Sequence, residues 1–186
     1  MPAIQHSLPT YDKGQLRREI MELAWPAVIE NLLVMSVGIA DTAMVGRLGS
    51  ASLAAVDLAN RLVMFALAVF SAILIGTTAV VARSIGAGDT KTANQALRQA
   101  LLMVVALSLP FIILGTIYAR NCLSFMMVLQ ESPDLEVIDA GVSYMQITIP
   151  FMIFALLMMT INSCLRGAGD TRTPMIVTGI SNVVNI

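Results

Sequence analysis

Histidine is almost missing from this chain: His6 is the single one among 186 residues, and it lies in a polar, proline-containing amino-terminal stretch. That excludes a histidine-built metal centre and a Ser-His-Asp hydrolase. Cysteine is nearly as scarce, with only Cys122 and Cys164. On the topology set by the basic residues they sit at opposite membrane faces, about 30 Å apart. A disulfide needs Cα atoms within about 7 Å, so they cannot bridge within one chain. Their spacing fits no metal site either. Charge is sparse, at 12% of residues, about half the usual share. The net charge of −1 comes with no basic patch interleaved with aromatics, so nucleic acid is not an expected partner. There is also no cleavable signal peptide pattern, because the first apolar run is a full-length span preceded by Arg17 and Arg18.

Apolar residues are abundant, at 57%. The uncharged runs predict an all-α integral membrane protein, a multi-span helical bundle. Residues 1–15 read as a disordered cytoplasmic tail and residues 16–186 as a transmembrane lobe. Helices are expected at about 16–46, 53–82, 91–119, 138–165 and 173–186. The segment 62–82 runs for 21 residues without a charge, enough to cross about 30 Å. Asp57 and Arg61, at i and i+4, can pair at the start of the second helix. The longest connection, 120–139, carries Glu131, Asp134, Glu136 and Asp139 against Arg120 alone. Met152, Met158 and Met159 read as adaptable packing, with a surface for varied apolar ligands as the alternative. The last run stops 14 residues after Arg172, too short to cross, so the sequence reads as part of a longer protein.

The first helix holds two acids within its apolar run, Glu30 and Asp41. A charged acid at a bilayer centre costs roughly 2.5–3.5 kcal/mol on insertion scales. The nine Leu, Ile and Val residues from Leu23 to Val45 return about 3–5 kcal/mol together. Two charged acids therefore about cancel the helix's own tendency to insert. They must be protonated, paired or wet. They are eleven residues apart, about three helical turns, so they share nearly one face. Pro26, four residues before Glu30, lies on that face and weakens the helix there. Intramembrane acids are rare and usually face a cavity, which makes Asp41 and Glu30 functional candidates. For Glu30 the alternative is snorkelling at the cytoplasmic interface.

The bases set the topology. Lys13, Arg17, Arg18, Arg83, Lys91, Arg98, Arg166 and Arg172 gather on one side, against Arg47, Arg61 and Arg120 on the other. The positive-inside rule puts the amino terminus in the cytoplasm. Two breaks on that side repeat the segment GAGDT, at 86–90 and 167–171. Glycine ends a helix there and Asp-Thr can cap the next one. A remote functional alternative is an intramembrane aspartyl protease, with a Gly-x-Gly-Asp acid sharing a proton with a second acid. Asp41, near the opposite face, cannot serve as that second acid.

Several segments together resemble one family. They are Trp25-Pro26 with DTAMVGRLG at 41–49, VARSIGAGD at 81–89 and CLRGAGDTRTP at 164–174. In this order and spacing they resemble the amino-terminal half of multidrug and toxic compound extrusion (MATE) transporters, from about Leu23 to Ile186. The resemblance implies a partial first lobe of a two-lobe transporter with six helices per lobe, in the cell (plasma or inner) membrane. It implies a secondary antiporter, not an enzyme, that exports organic, often cationic, drugs or toxins in exchange for protons or sodium ions. No cofactor is implied. The implied partners are a small organic substrate, the lipid bilayer and the second lobe of the same protein. By the same resemblance Asp41 takes part in coupling, with sodium at Asp41 as one form of it, and Pro26 is where the first helix bends. Asn182 and Asn185 look like the approach to a motif that often continues to a further acid.

By helix rise, Asp41 lies about 27 Å from Leu23 and Asn185 about 18 Å from Thr173, with the next turn at about 24 Å. Asn185 and the next turn of its helix can thus share a polar pocket with Asp41. The alternative is that Asn182 and Asn185 only bond between helices. A flippase for lipid-linked sugars is the rival within the same fold. It would need more bases inside the lobe, where Arg61 is the one exception.

Overall fold

The computed structural model describes residues 13–128 and 135–185, with Val128 and Asn185 described by their backbone alone. Its helices, in chain order, are α1 (Lys13–Gly46), α2 (Ser50–Gly86), α3 (Thr90–Ile117), α4 (Ala119–Val128), α5 (Leu135–Gly167) and α6 (Arg172–Asn185). The fold is all-α. Four of the helices, α1, α2, α3 and α5, are long and apolar enough to cross a membrane. Most of the expected tail lies outside the described residues, but Lys13, Gly14 and Gln15 already belong to α1. The stretch read as the longest connection contains α4. Its Ala119, Leu123 and Met127, each one turn apart, are buried, while Arg120 points outward to Asp139 at 3.0 Å. The acid-rich residues after it hide this short period in the sequence.

The two GAGDT breaks have one geometry. The amides of Ala87, Gly88 and Asp89 donate to the carbonyls of Arg83, Ile85 and Ser84. Those of Ala168, Gly169 and Asp170 donate to Cys164, Arg166 and Leu165, the same offsets. Both are Schellman turns with glycine in the left-handed position, at φ 74° for Gly88 and 88° for Gly169. The next residue, Asp89 or Asp170, then caps the helix after the turn. Asp89 accepts from the Thr92 amide at 3.0 Å, and Asp170 from the Thr173 amide at 3.0 Å.

The core runs along α2 and α5, with α3 against both. At one end Ala55 and Leu58 meet Leu123 of α4 and Ile138 of α5. In the middle Ala66 and Phe70 meet Val104, Met152 and Leu156. At the other end Val81 meets Ala93 and Cys164. α2 and α5 therefore run in the same direction and α3 runs against them. Both cysteines are free, and they lie at opposite ends of this core. The Thr78 and Ser163 hydroxyls stand 2.6 Å apart, and Ser163 donates onward to the Leu74 carbonyl at 2.6 Å. α1 stands outside this core. Among its described residues only Pro26 is buried, and its neighbours are α6 and α2.

Candidate functional site

Asp41 opens onto a cavity of about 870 Å³ between the end of α1 and the start of α2, closed on one side by Tyr144 of α5. From α1 the lining is Gly38, Asp41, Thr42 and Val45, spaced i, i+3, i+4, i+7, with Met44 beside them. From α2 it is Ser50, Leu53, Ala54, Asp57 and Asn60, again mainly one helical stripe, with Val56 at its edge. The opposite stripe of α2, with Ala55, Leu58 and Ala59, fills the core. One face of α2 thus builds the fold and the other builds the cavity.

The cavity holds two carboxylates in different circumstances. Asp57 is paired with Arg61 at 3.0 Å, the bond the i, i+4 spacing predicts. Asp41 has no hydrogen-bond or ion-pair partner among the described residues and is exposed to the cavity. Tyr144 reaches Asn60 at 3.5 Å from α5. Thr42 donates to the Gly38 carbonyl of its own helix at 2.8 Å. An unpaired carboxylate in an open cavity with a mainly apolar lining can bind a proton, a metal cation or an organic cation, and no described residue is fixed beside it as a counter-ion.

Glu30 is not brought to Asp41. Its carboxylate pairs with Arg166, at the end of α5, at 3.2 Å. Its side chain is 12% exposed, so it is a half-buried partner of an ion pair. Pro26, one turn earlier, is fully buried inside an unbroken α1. Asn182 is buried and donates to the carbonyl of Leu33 on α1 at 2.8 Å. Asn185 lies in the last turn of α6, its side chain outside the described residues. Asp57, Asn60 and Tyr144 had no place in the site read from the sequence. For the two α2 residues the signal was the spacing of Leu53, Asp57 and Asn60 on one face of a helix whose other face is apolar.

Asp89 and Asp170 are held for a different task. Each has its carboxyl below the usual carboxylate range, chiefly through the side-chain hydrogen bond from Thr92 or Thr173 and then the backbone amide of the same threonine. A shared-proton acid needs one raised value, so capping accounts for both. Among the described residues no three His, Cys, Asp or Glu side chains group as metal ligands.

Four membrane-length helices, three of them packed along a buried seam and the fourth presenting an acid to a cavity at one end, fit a multi-pass membrane protein of the transporter type. Residues 26–186 match the family model MatE, and the chain belongs to that family, which consists of transporters rather than enzymes. It is 32% identical to a probable multidrug resistance protein NorM of Thermotoga maritima, over 96% of this chain and 38% of that relative. It is 25% identical to a FAD transporter of Shewanella oneidensis, over 91% of this chain and 36% of that one. Among solved structures it superposes on a MOP superfamily transporter from Pyrococcus furiosus with a TM-score of 0.78 and 25% identity. That match covers 91% of this chain and 37% of the other, whose binding pocket is described as reversed in polarity, suggesting a different function. The chain thus spans little more than a third of the length of these relatives.

Proposed function

We propose that this chain forms part of the first lobe of a secondary antiporter that exports organic, often cationic, compounds in exchange for protons or sodium ions. The observation that carries the reading is Asp41, an unpaired carboxylate facing an open, mainly apolar cavity of about 870 Å³. When charged it attracts a cation into the cavity. When protonated, or bound to sodium, it no longer does. The ion can drive transport only by binding the two states of the lobe with different affinity. Asp41 stands on α1, the membrane-length helix with the fewest buried anchors among the described residues, so it is the acid best placed to report the state of that helix. Asn185 lies on α6 alongside and tunes the acid's surroundings, while Asn182 ties α6 to α1 through the Leu33 carbonyl. Glu30 contributes to the same helix through its ion pair. The bases favour a cytoplasmic amino terminus in a cell membrane, which puts the Asp41 cavity toward the outer side.

The flippase reading needs free bases inside the lobe. Arg61, the one exception the sequence leaves, forms an exposed i, i+4 pair with Asp57, and no base is among the described residues that line the Asp41 cavity.

The test is Asp41→Asn in the full-length transporter. It is expected to abolish drug resistance and gradient-driven export while the protein remains in the membrane at normal abundance. Export at the parent rate would remove Asp41 from coupling.

A further inference from the structure

Glu30 and Arg166 join two helices that do not otherwise meet. Among the described residues no Cα of α1 comes within 8 Å of one on α5. Two long side chains bridge the gap. A single guanidinium nitrogen, Nη1 of Arg166, lies 3.2 and 3.3 Å from the two Glu30 oxygens.

The two ends of this bond are anchored very differently. Arg166 stands on a fixed edge. Its neighbour Gly167 abuts the Thr78 backbone of α2, and Ser163, one turn back, is hydrogen-bonded to Thr78 and Leu74. Glu30 stands on α1, one turn beyond Pro26, and Pro26 is the one buried residue of that helix among those described. The turn itself does not require the arginine. The first GAGDT break makes the same Schellman geometry with Ile85 at the matching place.

The exposures favour a closed pair on the Glu30 side. The Glu30 side chain is 12% exposed and that of Arg166 37%. A carboxylate that loses its partner in such surroundings must gain water or a proton, so a slightly opened pair is worse than either a closed or a fully parted one. Packed elements with two discrete arrangements are how small shifts become large ones.

We propose that Glu30 and Arg166 are a conformational latch. The pair holds α1 to α5 in one state of the lobe and parts when α1 rearranges about Pro26. Arg166 is a positioning residue for α1. The latch rests on the antiport reading, in which α1 rearranges during transport.

The test is a distance measurement on the full-length transporter in lipid nanodiscs, freed of native cysteines. Spin labels are placed at Val34→Cys on α1 and Ile161→Cys on α5, both exposed positions. The parent is expected to show one dominant short distance. Glu30→Gln and Arg166→Gln are expected to raise a second, longer population several-fold. Arg166→Lys and the exchange Glu30→Arg with Arg166→Glu are expected to bring the distribution back toward the parent's. Rescue by reversing the charges ties the effect to the pair itself rather than to the packing of either side chain. Identical distributions in the parent and both neutral variants would overturn the latch. Ion-driven dye export is measured on the same proteins. Shifted distances without ion-driven export in the parent keep the latch and remove the antiport reading. Unchanged distances with normal export remove the latch alone.

Discussion

Gly167 lies so close to Thr78 that a Cβ on it would stand 2.7 Å from the Thr78 carbonyl oxygen. Backbone cannot yield as a flexible side chain does, so α5 and α2 meet here only because residue 167 has no side chain. Gly86, at the same place in the first GAGDT break, has nothing within 4 Å of such an atom. The same substitution should therefore act with opposite sign. Gly167→Ala is expected to destabilise by about 1–3 kcal/mol, the usual cost of overpacking. Gly86→Ala is expected to be neutral or to stabilise by about 0.4–1 kcal/mol through the unfolded chain. Thermal unfolding of the purified full-length variants checks both, and equal shifts would contradict the close approach.

The capping aspartates give a pH prediction. Asp89 and Asp170 have folded-state values below their ordinary ones. A group depressed on folding contributes stability above its unfolded value, about 3.9, and loses it as pH falls through the folded value. Acid below about pH 4 should therefore weaken both turns. Asparagine caps almost as well and does not titrate. Asp89→Asn with Asp170→Asn should leave melting at pH 7 nearly unchanged and flatten its fall between about pH 5 and pH 3. A steeper fall in the double variant would show that the two carboxylates are not the groups responsible.

The membrane class, the four long helices, the Asp57–Arg61 pair and the caps at Asp89 and Asp170 were legible in the sequence, because each depends on residues within one or two turns. Apolar runs report spans, i, i+4 charges report a pair, and Gly-Asp-Thr reports a turn. What was not legible depends on which helices become neighbours. The partner of Glu30 is Arg166, 136 positions away. Nothing local distinguishes Arg166 from the other bases at that end. Tyr144 joins the Asp41 cavity because α5 runs beside α2 in the same direction, a relationship that no local spacing encodes. α4 was missed because its one apolar stripe is only three residues long.

The bases at the ends of the core make a topological prediction. Arg83, Lys91, Arg98, Arg166 and Arg172 lie at one end and Arg61 and Arg120 at the other. Single cysteines at Asp89 and Asp170 should label from the cytoplasm only, and one at Glu136 from outside only. Labelling of positions 89 and 136 from the same side would end this orientation.

Asn182 sets the level of α6 against α1. Its amide donates to Leu33, while farther back Glu30 lies beside Arg166 near the start of α6, so the two helices advance in the same direction. From Leu33 to Asp41 is eight residues, about 12 Å of rise. From Asn182 to Asn185 is three residues, about 4.5 Å, so Asn185 lies nearer the level of Asp41 than Asn182 does. Asn182 and Asn185 should then have separable effects. Asn182→Ala removes a bond between helices and is expected to cost about 0.6 kcal/mol, at most about 1.7, with the ion dependence of export unchanged. The Leu33 carbonyl keeps the Ser36 hydroxyl at 2.7 Å, so it is not left bare. Asn185→Ala removes an amide that can serve either charge state of a nearby acid, and is expected to move the pH or sodium dependence of export with little change in stability. The check is export against pH and against sodium for both variants, beside their melting temperatures. If Asn182→Ala shifted the ion dependence and Asn185→Ala did not, the tuning role proposed for Asn185 would pass to Asn182, acting through its bond to Leu33 of α1.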